Sequence, residues 1–301
     1  LRGEPGRWLA GAVIIAALGA CASTATARPA AATVAVTTRG ICVSSSRPRL
    51  AGQLSAGIVR ALRGRSSSVG LAVDDRGAGL VCQLAANRRF DTASVVKATI
   101  LAALLRERAR EDERLTVTER DLAARMITES DNDAASDLWA RVGPSGIRRF
   151  LDAAHMTETV PGPGGYWGLT KTTARDQIRL LRVLTSANPV LDAGARAYEL
   201  SLMAGVEPDQ RWGISSGVPR GATVELKNGW LPLATAGWRI NSIGCVSGRR
   251  ASYCATVLTD DNPTMAYGIT TIDRVAEVIN GKLGPASVRP VPVRRPSRPG
   301  G

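Results

Sequence analysis

Histidine is nearly absent from this sequence of 301 residues, with His155 the single example. That excludes a zinc centre built on several histidines and leaves a Ser-His-Asp triad hanging on one residue. Aromatic residues make up 4% of the chain, too few to supply stacking platforms for single-stranded nucleic acid. Lysine is just as scarce: of 39 basic residues only Lys97, Lys171, Lys227 and Lys282 are lysine. Wherever a surface positive charge would serve, the chain uses arginine. A retained lysine is then a candidate for work arginine cannot do, such as giving up its proton.

What is present reads as globular: 44% apolar and 22% charged residues over a length that suits one large domain or two small ones. The net charge of +13 lies mostly in the ends, with +4 in residues 1–48, +4 in residues 285–301 and +5 in the 236 residues between. The folded part is only mildly basic. The ends lack aromatics apart from Trp8, so anionic envelope polymers or lipid suit them as well as nucleic acid, and no nucleic-acid partner is expected.

The first 27 residues read as an export signal. Arg2 and Arg7 precede a 13-residue apolar run, Trp8–Ala20, which is too short to span a bilayer. Leu18-Gly19-Ala20-Cys21 fits a bacterial lipobox, with Cys21 becoming a lipid-modified first residue; Ala25-Thr26-Ala27 fits a simple secretion site. The expected location is therefore the outer face of the cytoplasmic membrane, or outside the cell. Setting Cys21 aside leaves four cysteines, an even number compatible with an oxidising compartment. Cys245 and Cys254 lie on two apolar segments joined by a turn, which suits a cross-strand disulfide. Cys42 and Cys82 are then the remaining pair, although four cysteines admit three pairings.

Residues 28–48 read as a tether and residues 285–301, rich in proline and arginine, as a disordered basic tail. Between them the patterns predict a helix near 50–63 and strands near 68–74 and 79–86. Helices follow from about 94 to 206, then strands over about 222–260 and a last helix near 271–282. The expectation is a domain over 49–284, in which an α/β lobe (about 49–90 and 215–284) closes around an all-helical lobe (about 91–214), with a cleft between them.

Three short motifs carry chemistry. Ser94-Val95-Val96-Lys97 opens an apolar helical run, so serine and lysine share one helix face and the amine can reach the hydroxyl. A helix N-terminus offers free N–H groups to a developing oxyanion and, with burial, lowers the lysine pKa. Ser130-Asp131-Asn132 stands between two helical runs, where these residue types also serve as N-caps. Lys227-Asn228-Gly229 lies within a strand-like stretch, where a glycine has a packing cost unless something approaches the backbone closely.

Two of only four lysines fill the lysine slots of an ordered S-x-x-K, S-D-N, K-x-G set. In this the chain resembles the penicillin-recognising serine hydrolases, specifically class A β-lactamase-like domains. Leu115-Thr116-Val117 through Ala135 and Gly168-Leu169-Thr170-Lys171-Thr172-Thr173-Ala174 extend the resemblance over about residues 50–283. It implies an α/β plus all-α fold, with an antiparallel sheet flanked by N- and C-terminal helices and a helical second domain. It also implies a monomer that uses no metal or cofactor and acts on a β-lactam or peptidoglycan-like amide, hence β-lactam breakdown and antibiotic resistance. The catalytic residues would be Ser94 as acylated nucleophile, Lys97 in its activating network and Ser130 as proton donor to the leaving nitrogen. The substrate-binding set would be Asn132, Lys227, Asn228, Gly229 and Trp230, with the N–H groups of Ser94 and Trp230 forming the oxyanion hole.

Three departures from the family pattern bear on turnover. The segment before the threonine-rich stretch, residues 158–167, lacks the family's glutamate motif, and Glu158 is its only carboxylate. Asn228 replaces a hydroxyl residue, with Arg239 the nearest arginine that would supplement carboxylate binding. The stretch between Lys97 and Ser130 is short, which opens one cleft wall. The sequence therefore leaves three readings in play: a hydrolase with slow deacylation, a non-hydrolytic penicillin-binding or envelope-binding lipoprotein, and a D,D-peptidase-like cell-wall enzyme.

Overall fold

A computed structural model describes residues 40–233, 237–248 and 251–284. The export signal with Cys21, most of the tether and the basic tail lie outside the described residues. A six-stranded antiparallel sheet runs in the order β1-β3-β2-β8-β7-β6. Its strands are β1 (Cys42–Ser44), β2 (Ser68–Asp75), β3 (Leu80–Leu84), β6 (Thr223–Leu233), β7 (Gly237–Gly248) and β8 (Ala251–Asn262). A separate two-stranded ribbon pairs β4 (Arg89–Asp91) with β5 (Lys171–Thr173). The helices are α1 (Pro48–Leu62), α2 (Val96–Arg110), α3 (Val117–Thr128), α4 (Asn132–Ala153), α5 (Ala174–Thr185), α6 (Ala193–Ala204) and α7 (Met265–Leu283).

The sheet is buried on both faces, and strand alternation shows how. Leu71, Val73, Ala255 and Val257 join one apolar cluster with Leu54 and Ile58 of α1 and Ile272, Val275 and Ile279 of α7. Ala72, Cys254 and Leu258 point the other way, into a second cluster with α2–α6. At the centre of that second cluster α2 is apolar nearly all round, from Val96 to Leu105, so a lysine in its first turn is necessarily buried. The two predicted disulfides form, Cys42–Cys82 between directly opposed residues of β1 and β3 and Cys245–Cys254 likewise between β7 and β8.

Three local expectations need correction, and one helix carries a break. The tether does not reach residue 48: β1 pairs with β3 at 42–44, and Pro48 already occupies the first turn of α1. The ribbon β4–β5 interrupts the stretch expected to be helical. α4 breaks at Gly143 (φ 67°), ahead of Pro144. The last helix begins at Met265, capped by Thr264, whose hydroxyl accepts from Tyr267 N–H at 3.1 Å. Gly268 in its first turn reads as a breaker, yet a Cβ there would stand 2.3 Å from Ile240 Cγ1. Close packing of α7 on β7 is what requires it.

Candidate active site

Ser94 lies in a 3-10 turn (Ala93–Val95) that runs directly into α2. Ala93, just before it, is held at φ 46°, a left-handed conformation that alanine rarely adopts. The turn is pinned from two directions. Thr92 N–H donates to Thr170 O at 2.8 Å, and the Asn241 side-chain amide of β7 donates to Asp91 O at 2.8 Å and Thr92 O at 3.0 Å. β6 then passes so close that a Cβ on Gly229 would stand 2.7 Å from Ser94 N and 2.8 Å from Val95 N. That contact is what the mid-strand glycine permits. The half-buried Ser94 hydroxyl makes no hydrogen bond among the described residues, so it does not cap α2.

The other motif residues converge on Ser130. Ser130 has φ 59° at the junction of α3 and α4, and its hydroxyl lies 3.1 Å from Lys97 Nζ and 3.0 Å from Lys227 Nζ. Lys97 also donates to Ser130 O at 2.6 Å and to Asn132 Oδ1 at 2.8 Å. Asp131 is the residue of this motif that acts as a helix cap, accepting from Ala134 N–H at 2.9 Å. The direct bond expected between Lys97 and the Ser94 hydroxyl is not formed among the described residues; the amine turns instead to the α3–α4 junction, where two pure acceptors take its protons.

Burial pushes the Lys97 amine down to about 7, against a small opposing pull from Asp131. Lys227 is completely enclosed, and burial followed by the neighbouring charge of Lys97 lowers it far below an ordinary lysine. A neutral Lys97 has two N–H bonds for Ser130 O and Asn132 Oδ1 and one lone pair, which faces the Ser130 hydroxyl. The geometry is that of a proton relay.

Two expected binding residues behave differently. Asn228 is fully buried, and its amide donates to Gln210 O at 2.7 Å and Trp212 O at 2.9 Å, tying β6 to the preceding loop. Arg239 is enclosed with Asp91 and Asp260, at 3.4 and 3.3 Å, so its charge is already engaged. Burial raises Asp260 to about 6 despite Arg239 and Arg88. Trp230 follows Gly229 on edge strand β6, half-buried, with its ring 6.3 Å from that of Trp212. Glu158 is no partner of Lys97: it is exposed and paired with Arg89 at 2.9 Å.

A family model described as "Beta-lactamase enzyme family" matches residues 53–283. The chain belongs to the beta-lactamase enzyme family. Its fold is similar to a beta lactamase from Xanthomonas campestris (TM-score 0.66, 24% identity, covering 77% of this chain and 97% of that one). A class A beta-lactamase from Bacteroides cellulosilyticus is also similar (0.68, 16%, 77% and 97%), as is the structure of PBP-A (0.66, 18%, 77% and 96%). A curated relative is "Putative lipoprotein LppW" of Mycobacterium tuberculosis, 26% identical over 191 residues, which are 61% of this chain. The match spans about 60% of the length of the curated relatives.

Sequence reasoning missed three contributors within this beta-lactamase-family site. Asn241 anchors the Ser94 turn, and the signal was an amide following Ile240 within a strand-like stretch. Trp167 places its ring centre 4.8 Å from Lys97 Nζ, and Ser136 accepts from its indole N–H at 3.1 Å. Nothing in their local sequence marks either one.

Proposed function

We propose that this protein is an exported acyl-serine enzyme that is acylated on Ser94 by a β-lactam or a peptidoglycan-derived amide and releases the acyl group slowly. The observation that carries the reading is the shared Ser130 hydroxyl between two buried, easily deprotonated lysines, beside a serine whose hydroxyl is unused. Ser94 Oγ adds to the amide carbonyl carbon while its proton passes to the neutral Lys97, which swings from its resting partners. The resulting oxyanion would lie against the N–H groups of Ser94 and Trp230. As the C–N bond breaks, Ser130 gives its proton to the leaving nitrogen. Lys97 then returns a proton across the 3.1 Å contact to Ser130, so that one proton has moved in total from serine to nitrogen.

Asn132 is the substrate-amide donor in this reading. Lys227 is the carboxylate anchor; an arriving carboxylate favours its protonated form, so substrate binding takes up a proton. Asn228 supports the strand rather than the ligand. Slow release is supported by the surroundings of Lys97, to which no carboxylate is hydrogen-bonded among the described residues. This favours a long-lived acyl-enzyme over fast hydrolysis. Two disulfides fit an oxidising compartment outside the cytoplasm, and a lipid on Cys21 would tether a monomeric domain to the membrane face. Among the described residues no helix is long and apolar enough to cross a membrane. The reading is tested by incubating the full chain with labelled penicillin and mapping the adduct: a label on Ser94 in folded protein is expected, and folded protein with no label there refutes it.

A further inference from the structure

Trp167 has no part in the acylation chemistry, yet it is fixed against the base from both sides. Its indole N–H donates to Ser136 Oγ at 3.1 Å, and the Ser136 hydroxyl donates to Asn132 O at 2.9 Å, which fastens the ring to the first turn of α4. Its backbone sits in a 3-10 turn, Trp167–Leu169. The carbonyl of the next residue, Thr170, accepts from Thr92 N–H at 2.8 Å, next to the nucleophile turn. The ring centre ends 4.8 Å from Lys97 Nζ.

Releasing an acyl group from Ser94 requires a water oxygen to bond to the ester carbonyl carbon, its proton to pass to a base, and Ser94 Oγ to leave with a proton. Lys97 is a base at hand, but Ser130 O, Ser130 Oγ and Asn132 Oδ1 already take its hydrogen-bonding directions. The indole covers a further approach. A water held there would need two or more polar partners, and the face of a ring supplies none. The loop over residues 157–170 contains one carboxylate, Glu158, which is exposed and paired with Arg89.

We propose that Trp167 is a positioning residue that keeps water away from Lys97, so that the acyl ester on Ser94 is retained and the site acts as an acyl trap rather than a fast hydrolase. This rests on the reading of Ser94 as the acylated nucleophile. The retained acyl group would persist until the ring moves or the chain is replaced.

The test measures acylation and release separately, by intact mass, after adding penicillin G to the full chain and then removing the free drug. Trp167→Phe keeps a ring and should keep slow release. Trp167→Ala and Ser136→Ala loosen or remove the cover and should speed release about threefold or more, with continued labelling of Ser94 as the sign that the site is still assembled. Trp167→Glu places a carboxylate beside the ester and should speed release about tenfold or more, with a new dependence on pH that rises through about 4–5. Faster release in Trp167→Ala and Ser136→Ala, with Trp167→Phe unchanged, is the pattern that a merely structural tryptophan would not produce. Equal release rates in the wild type, Trp167→Ala, Trp167→Glu and Ser136→Ala overturn the inference alone. A wild-type protein left unlabelled at Ser94 refutes the acyl-serine reading and this inference with it.

Discussion

The proposed chemistry turns on Lys97 because it is a lysine, enclosed, at the start of an apolar helix. Arginine cannot give up its proton, so Lys97→Arg should lower acylation of Ser94 by at least about a hundredfold in a penicillin-labelling time course, whereas a protein that only binds through this cleft would tolerate the change. The same low pKa has a stability consequence. Between about 7 and the ordinary lysine value of 10.5 the unfolded chain holds a proton that the folded protein has released, so stability should rise with pH across that window. Urea titrations at pH 7 and pH 9.5 would show the rise; Lys227 adds to it, so Lys97→Met should reduce the slope without abolishing it. Scarcity of lysine made both cleft lysines legible in the sequence. The amine's direction was not, because i,i+3 spacing says which face a side chain shares and not which neighbour outcompetes the serine. The same limit applies to Asn228, where tertiary carbonyls on the loop captured an amide expected to face substrate.

At the scale of elements, one close approach and one helix cap hold the surroundings of the site together. Gly229→Ala would drive a methyl into the N–H groups of Ser94 and Val95; β6 must retreat, so acylation should fall at least about tenfold and the melting temperature should drop. α3 opens with a reciprocal cap in which Thr116 and Glu119 exchange hydrogen bonds at 2.9 and 3.1 Å. Glu119 also meets Arg108 at 2.6 Å and Arg141 at 3.1 Å. Burial opposes its charge, but the Arg108 hydrogen bond, the Thr116 N–H and the two arginines together bring its pKa down to about 2. Its stabilisation, of the order of 3 kcal/mol, is therefore complete above about 4.5 and lost as pH falls toward 2. Glu119→Gln should remove that acid-side slope in denaturation curves collected from pH 6 to pH 2. Long periodic helices and the hairpin strands were readable from apolar spacing. β1 was not, being three residues within a Ser/Thr-rich stretch whose pairing and disulfide are long-range. The start of α7 was hidden for another reason: Gly268 is there for packing, and local propensity reads it as a stop.

For the whole molecule, the two-lobed plan follows from a sheet with apolar residues on both faces and helical segments inserted between its strands, and that much is visible in the order of patterns along the chain. The cleft residues come from α2, the α3–α4 junction and β6, segments up to 135 positions apart in sequence, counted from Ser94 to Gly229, so no local pattern could assemble them. The disulfides fasten the sheet at two places. Loop closure over 40 residues favours Cys42–Cys82 over the nine-residue Cys245–Cys254 loop, by roughly 4 against 2.5 kcal/mol in the chain-entropy account. Replacing Cys42 and Cys82 by serine should accordingly lower the melting temperature more than replacing the other pair.

The account depends on an uncharged amine at the mouth of α2 drawing a proton out of the serine. Its most direct measurement is the second-order rate of penicillin attachment to Ser94 between pH 5 and pH 10. A rate that climbs with pH, reaches half its plateau near 7 and vanishes in Lys97→Arg is expected. A rate independent of pH over that range, or one that Lys97→Arg leaves intact, would contradict it.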